Sequence, residues 1–162
     1  MRITEMNGHE CRELLASFGF GRLACARENQ PYIVPIYFAA EGDCLYGFST
    51  LGRKIEWMRM NPLVCVQADE IRSSTEWKSV VITGRYEELF DDPDHEPSRR
   101  HAISLLARRP SWWQGAYAAD QTRQHDADPA PVVFCVHIAE ISGHRADPDP
   151  AQTAIDVAQQ KW

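Results

Sequence analysis

The feature that most constrains the fold is a run of three short apolar segments between residues 20 and 49. The segments cover residues 20–26, 32–39 and 44–49. Glu-Asn-Gln-Pro at 28–31 and Glu-Gly-Asp at 41–43 separate them, and these residue types favour tight turns. Because such short connections join antiparallel strands, the segments predict two adjacent β-hairpins.

Periodicity elsewhere in the chain predicts only a few helices among further strands. The apolar spacing is helical over residues 7–18, 51–60 and 97–108, and typical of strands over residues 63–68, 77–89 and 132–141. Strands and helices do not alternate regularly, which argues against a doubly wound parallel sheet. We therefore predict a mainly β fold, a six-stranded antiparallel barrel.

The remaining segments carry no regular period. Residues 109–131 are polar and contain Trp112 and Trp113, so they predict one long loop. Residues 146–162 are predicted to form a polar C-terminal tail behind a single domain of residues 1–145. A chain of 162 residues, 44% of them hydrophobic, fits one such domain.

Composition excludes several classes of function. A net charge of −6 argues against a general nucleic-acid binder, and no run approaches the roughly 18 apolar residues that span a membrane. The first residues lack the apolar core of a secretory signal, so we expect a cytoplasmic protein. Five cysteines without a Cys-x-x-Cys pair predict free thiols, and no metal site is assigned; His137, in the last strand, faces either the core or a groove.

The segment of residues 46–55, Tyr-Gly-Phe-Ser-Thr-Leu-Gly-Arg-Lys-Ile, predicts an anion site. A strand ends at Ser49 and Thr50, whose hydroxyls can cap the next helix, and Arg53 and Lys54 lie in the first turn. A helix N-terminus offers free N–H groups and partial positive charge, so cations there are unfavourable without an anion. Alternatively, the hydroxyls only cap the helix and the cations face solvent.

The same segment is not a nucleotide triphosphatase loop. Gly47 and Gly52 have the required spacing, but Arg-Lys-Ile follows where Lys-Ser/Thr is needed. The phosphate lysine and the magnesium hydroxyl are therefore both missing.

Four segments together resemble the pyridoxamine 5′-phosphate oxidase-like flavin-binding split barrels, including the nitroimidazole-resistance and general flavin-nucleotide-binding subgroup. They are Tyr-Ile-Val-Pro-Ile-Tyr-Phe at 32–38, the stretch from 42 to 54, Asn-Pro-Leu-Val-Cys-Val at 61–66, and the predicted strand at 77–88. The resemblance covers roughly residues 10–145, in the family's order. It implies a homodimer with flavin mononucleotide (FMN) in a groove between subunits.

The resemblance also implies the residues that contact the cofactor. Ser49, Arg53 and Lys54 would hold the phosphate, with Thr50 close by. The flavin would be lined by Val34, Pro35, Ile36 and Phe48, and approached by Ser79 and Val80. Val34, Ile36 and Phe48 are equally compatible with ordinary barrel core.

Departures from the family limit the activity that the resemblance implies. The basic and aromatic C-terminal residues of the true oxidases are replaced by a polar tail, and Phe48 stands where the nitroimidazole-resistance subgroup has a histidine. What remains is an FMN-dependent oxidoreductase for an unassigned small molecule, with hydride transfer at flavin N5 and no catalytic side chain assigned. The alternatives are a non-catalytic flavin-binding or sensing module, and a split barrel that binds haem or deazaflavin.

Overall fold

The computed structural model describes residues 1–108 and 131–149, which form seven strands and three helices. The predicted loop with Trp112 and Trp113 and nearly all of the predicted tail lie outside the described residues. In chain order the elements are β1 (Arg2–Met6), α1 (Gly8–Ser17), β2 (Phe20–Arg27), β3 (Gln30–Glu41), β4 (Cys44–Ser49), α2 (Arg53–Met60), β5 (Leu63–Ser73), β6 (Glu76–Glu88), α3 (Glu96–Ala107) and β7 (Val132–Asp147).

Six of the strands close into a barrel in which every pair is antiparallel. Their order is β7-β4-β3-β2-β5-β6, and β6 pairs again with β7. The predicted six-stranded antiparallel barrel is thus confirmed. The β2–β3 turn has positive φ at both Glu28 (51°) and Asn29 (65°), as a two-residue turn that matches the strand twist requires.

The structure adds a seventh strand that the sequence analysis missed. β1 pairs with the C-terminal part of β7, from Arg2 opposite Asp147 to Met6 opposite Gly143. The prediction that the last strand ends at 141 was wrong, because Gly143 does not terminate it. A Cβ on Gly143 would lie 2.6 Å from Cε of Met6 and 2.8 Å from Sγ of Cys11, so glycine permits close packing there.

Alternating side chains of the barrel strands fill one main core, and the helices close it. Ile55 and Met58 of α2 are fully buried in that core, which fixes this helix against the barrel. Helix α3 covers part of the outer face of β4 and β7, where Ala102 packs with Val133 and Cys135 in a second, smaller cluster. The start of α2 is therefore held in place by buried residues one turn further along the helix.

Candidate functional site

The connection between β4 and α2 leaves the N-terminus of the helix without a side-chain cap. The helix begins at Arg53 with Gly52 as its N-cap residue. The Ser49 hydroxyl, which is buried, donates instead to the Thr50 carbonyl oxygen at 2.9 Å. The expectation that these hydroxyls cap the helix is therefore wrong, and the first N–H groups stay available to an anion.

Two cations stand at this helix start, and each has a neighbour on the β2–β3 hairpin. The Arg53 guanidinium lies 5.3 Å from the centre of the Tyr32 ring, a cation–π contact. Lys54 is half-buried, and burial lowers the pKa of its amine, while the nearby Cys25 thiol acts in the opposite direction. Within residues 1–108 and 131–149, neither cation forms a salt bridge with a carboxylate.

A groove of about 660 Å³ lies along strands β2, β5, β6 and β7 of the barrel. Cys25 contributes to the groove lining, but its side chain lies in the main core, where the Lys54 amine influences the thiol electrostatically. Most of the groove wall is apolar. Its lining includes Ala24, Ala26, Leu63, Cys65, Ala139 and the polar Thr83 and Arg85.

The structure does not bring all ten predicted site residues together. Ser49, Thr50, Arg53 and Lys54 share the β4–α2 connection, as the sequence analysis expected. Ile36 and Val80 lie in the main core, and Val34 packs against it. Their contact with a cofactor stays a prediction, and the positions of Val34 and Ile36 agree with the alternative of ordinary barrel core.

The other three predicted residues lie on outer faces of the barrel. Phe48 packs with the small cluster under α3. Pro35 is exposed on β3, opposite Arg22 of β2. The Ser79 hydroxyl accepts a hydrogen bond from Nε2 of Gln67 at 3.2 Å. A role in cofactor binding stays a prediction for each of them.

A polar cluster on the outer face of the barrel was missed by sequence reasoning. Gln67 connects it, because its Nε2 donates to Asp69 at 2.6 Å and its Oε1 accepts from Arg22 at 3.4 Å. The cluster includes Ser79 and lies at the other end of the strands from Cys25. Gln67, opposite Arg22, lies three positions along β5 from Val64, which is opposite Cys25, or roughly 10 Å along the strand. The alternation of side chains along the strand around Gln67 was the sequence signal that could have revealed this cluster.

The barrel is closed, six-stranded and antiparallel, and α2 lies between β4 and β5 in chain order. This architecture defines a split-barrel protein. The family model described as pyridoxamine 5′-phosphate oxidase matches residues 7–145, so the chain belongs to this family. The resemblance noted from the four sequence segments is thereby confirmed.

Three relatives illustrate the similarity. The uncharacterized protein RA0666 of Rhizobium meliloti is 42% identical over 146 residues, which cover 90% of this chain and 97% of that protein. A crystal structure of a FAD-binding protein from Mesorhizobium loti is also 42% identical, with a TM-score of 0.74, covering 91% of this chain and 99% of that one. The FAD and haem binding protein of Mycobacterium smegmatis shares the fold at 20% identity, with a TM-score of 0.62 over 98% of this chain and 80% of that one.

Over residues 1–108 and 131–149, no helix is both long enough and apolar enough to cross a bilayer.

Proposed function

We propose that this protein binds FMN, with the phosphate at the start of α2, and works as a flavin-dependent oxidoreductase on a small molecule. The observation that carries the proposal is the pair Arg53 and Lys54, which have no carboxylate partner among the described residues and stand at an uncapped helix N-terminus. In a chain of net charge −6, such a pair is best explained by a bound anion. Family membership and the FAD-binding relative from Mesorhizobium loti support a flavin.

The number of cations favours FMN over FAD. A phosphate monoester carries about −1.5 to −2 charges at neutral pH. The corresponding phosphate of FAD is joined through an anhydride to a second phosphate, and each of the two carries a single charge. Two adjacent cations together with helix N–H groups match the monoester better.

In this proposal the protein binds and orients the flavin, and the flavin itself supplies the hydride-accepting N5 position. Arg53, Lys54 and the α2 N–H groups hold the phosphate, with Ser49 beside them. The apolar groove shields the cofactor from water. The Gln67 cluster, which begins roughly 10 Å along the strands from Cys25, provides polar contacts for the far end of an elongated ligand.

A second copy of the chain is the proposed partner, as in the dimer that the resemblance implies. Ile33 and Leu63 are each 62% exposed and Phe20 is 45% exposed, on neighbouring strands of one outer face. Large exposed apolar side chains close together are typical of interaction surfaces. Dimerisation through this face would cover them together with the adjoining groove.

The first experiment identifies the cofactor. The full chain, purified without added flavin, should show a flavin absorption spectrum, and chromatography of the acid-released cofactor should give FMN rather than FAD. Released FAD would refute the charge argument while leaving flavin binding intact. A colourless protein that binds neither added flavin would contradict the whole proposal.

A double variant tests the phosphate end. Arg53→Ala/Lys54→Ala should raise the Kd for FMN by about 100-fold, since charge-assisted hydrogen bonds contribute about 1.5–3 kcal/mol each and Arg53 is partly screened by solvent. The matched control is Arg72→Ala/Lys78→Ala, which removes the same charge from a separate surface hollow. Equal affinities of the two double variants in a fluorescence titration would place the phosphate elsewhere.

Catalysis is tested separately on the flavin-loaded protein. Under anaerobic conditions a nicotinamide dinucleotide should bleach the flavin spectrum, and a screened acceptor should restore it. A protein that binds flavin but is reduced by no donor would instead be a storage or sensing module.

A further inference from the structure

Pairing of β4 with β7 gathers two cysteines and a histidine on the outer face of the barrel. Cys44 lies opposite His137, and Tyr46 lies opposite Cys135, so the three side chains share one face. The Sγ atoms of Cys44 and Cys135 and a ring nitrogen of His137 all lie within 4.8 Å of one another. Sequence reasoning assigned no metal here because 93 residues separate Cys44 from His137.

The spacing of these atoms matches a tetrahedral zinc site. With Zn–S bonds of about 2.3 Å and Zn–N bonds of about 2.0–2.1 Å, tetrahedral angles place a sulfur and a nitrogen ligand roughly 3.6 Å apart. The Cys44 Sγ to His137 Nδ1 distance is 3.7 Å. Two sulfur ligands would lie roughly 3.8 Å apart. Because the ligand atoms already lie within 4.8 Å of one another, they need to approach each other by no more than about 1 Å.

A carboxylate on the neighbouring strand fixes the histidine in the orientation that a metal requires. Glu87 Oε2 lies 2.5 Å from His137 Nε2. With Nε2 donating to this carboxylate, Nδ1 keeps its lone pair and faces the thiols. Histidines that bind metals characteristically donate their other ring N–H to a carboxylate in this way.

The surroundings of the three side chains favour a metal site that the protein covers on one side and solvent reaches on the other. Cys135 is buried beneath α3, beside Ala102. Cys44 is half-buried and His137 is exposed, so solvent reaches the cluster from the histidine side. Two thiolates and one imidazole leave a fourth zinc position for water or an added ligand.

We propose that Cys44, Cys135 and His137 bind one Zn²⁺ ion, with Glu87 as a positioning residue for His137. This site is independent of the flavin site proposed above. On binding, the two thiols lose their protons to solvent and the metal forms two Zn–S bonds and one Zn–N bond. No oxidant or reductant is needed.

The test uses the full chain without a histidine tag, stripped with a chelator and kept reduced. Titration with zinc alone should give one ion per chain by metal analysis after desalting. Titration with Co²⁺ should produce thiolate-to-cobalt charge-transfer absorption together with the intense visible bands of a tetrahedral site. Fewer than one retained zinc ion, or cobalt spectra without thiolate bands, would overturn the proposal.

Variants assign the ligands. Cys44→Ser and His137→Gln should each weaken zinc binding more than about 100-fold, and Glu87→Gln should weaken it about 10- to 100-fold. Cys65→Ser is the matched control, because Cys65 lies in the groove wall outside the cluster, and it should bind zinc normally. Circular dichroism confirms that each variant folds. Unchanged affinity in folded Cys44→Ser and His137→Gln, or a Cys44–Cys135 disulfide that forms in air despite excess zinc, would also refute the site.

Discussion

Replacing Glu88 by glutamine should weaken the attachment of α2 to the barrel. The Glu88 side chain is 9% exposed and accepts two hydrogen bonds from Arg59 of α2, each at 2.7 Å, and one from the Tyr86 hydroxyl at 3.0 Å. Hydrogen bonds to charged groups contribute about 1.5–3 kcal/mol, but Arg59 is 44% exposed, so solvent screens much of the pair. We expect Glu88→Gln to lower the free energy of unfolding by about 2 kcal/mol, or roughly 4–8 °C in Tm.

The pH dependence identifies the ion pair as the cause. The Arg59 guanidinium holds the pKa of Glu88 below its ordinary value of 4.5. A carboxyl whose pKa is lowered by folding stabilises the protein above the ordinary value, and that stability is lost as the pH falls through the lower, folded value. The difference between wild type and Glu88→Gln should therefore be full near pH 7 and vanish at strongly acidic pH.

Urea titrations at several pH values measure this difference. Glu70→Gln is the matched control, because Glu70 also pairs with an arginine, Arg72, but on an exposed strand end. It should change the urea midpoint far less than Glu88→Gln does. Equal effects of the two variants, or a Glu88→Gln effect that persists at acidic pH, would refute the reasoning.

Two further stability changes follow from local geometry. Asn7→Ala should lower the free energy of unfolding in urea by about 1 kcal/mol, because Oδ1 of Asn7 accepts a hydrogen bond from the Glu10 N–H at 3.0 Å in a capping box. Asn7→Asp keeps an acceptor and should lower it less. Equal losses of stability in the two variants would contradict the role of the cap. Gly47→Ala should cost about 1–3 kcal/mol, since its Cβ would lie 2.5 Å from Cζ of the buried Phe134 ring; an unchanged urea midpoint would show that the ring has room to move.

The barrel could be predicted because its hairpins are specified by residues that are neighbours in the sequence. Each hairpin combines an apolar segment with turn residues, and the turn at Glu28 and Asn29 lies where those residue types indicated it. β1 could not be predicted in the same way. Arg2–Met6 is short and mostly polar, and it becomes a strand only because β7 continues past Gly143 and offers it an edge.

The two proposed sites differ in how much of each could be predicted from the sequence. Arg53 and Lys54 were found because strand end, helix start and cations are consecutive in the chain. Cys44, Cys135 and His137 were not, because their proximity depends on the register between β4 and β7. For core positions such as Val80, family resemblance identified the strand segment but did not indicate which alternate side chains point inward.

The proposed phosphate site depends on how α2 is held against the barrel in this acidic chain. Two side chains of the helix, Ile55 and Met58, are fully buried, and Arg59 is held by Glu88. The helix axis is thereby fixed before any ligand arrives. Arg53 is further held over an aromatic ring, so little side-chain freedom remains to be lost on binding. If α2 binds the phosphate as proposed, the stability of its attachment and the affinity for the phosphate are linked through the position of one helix.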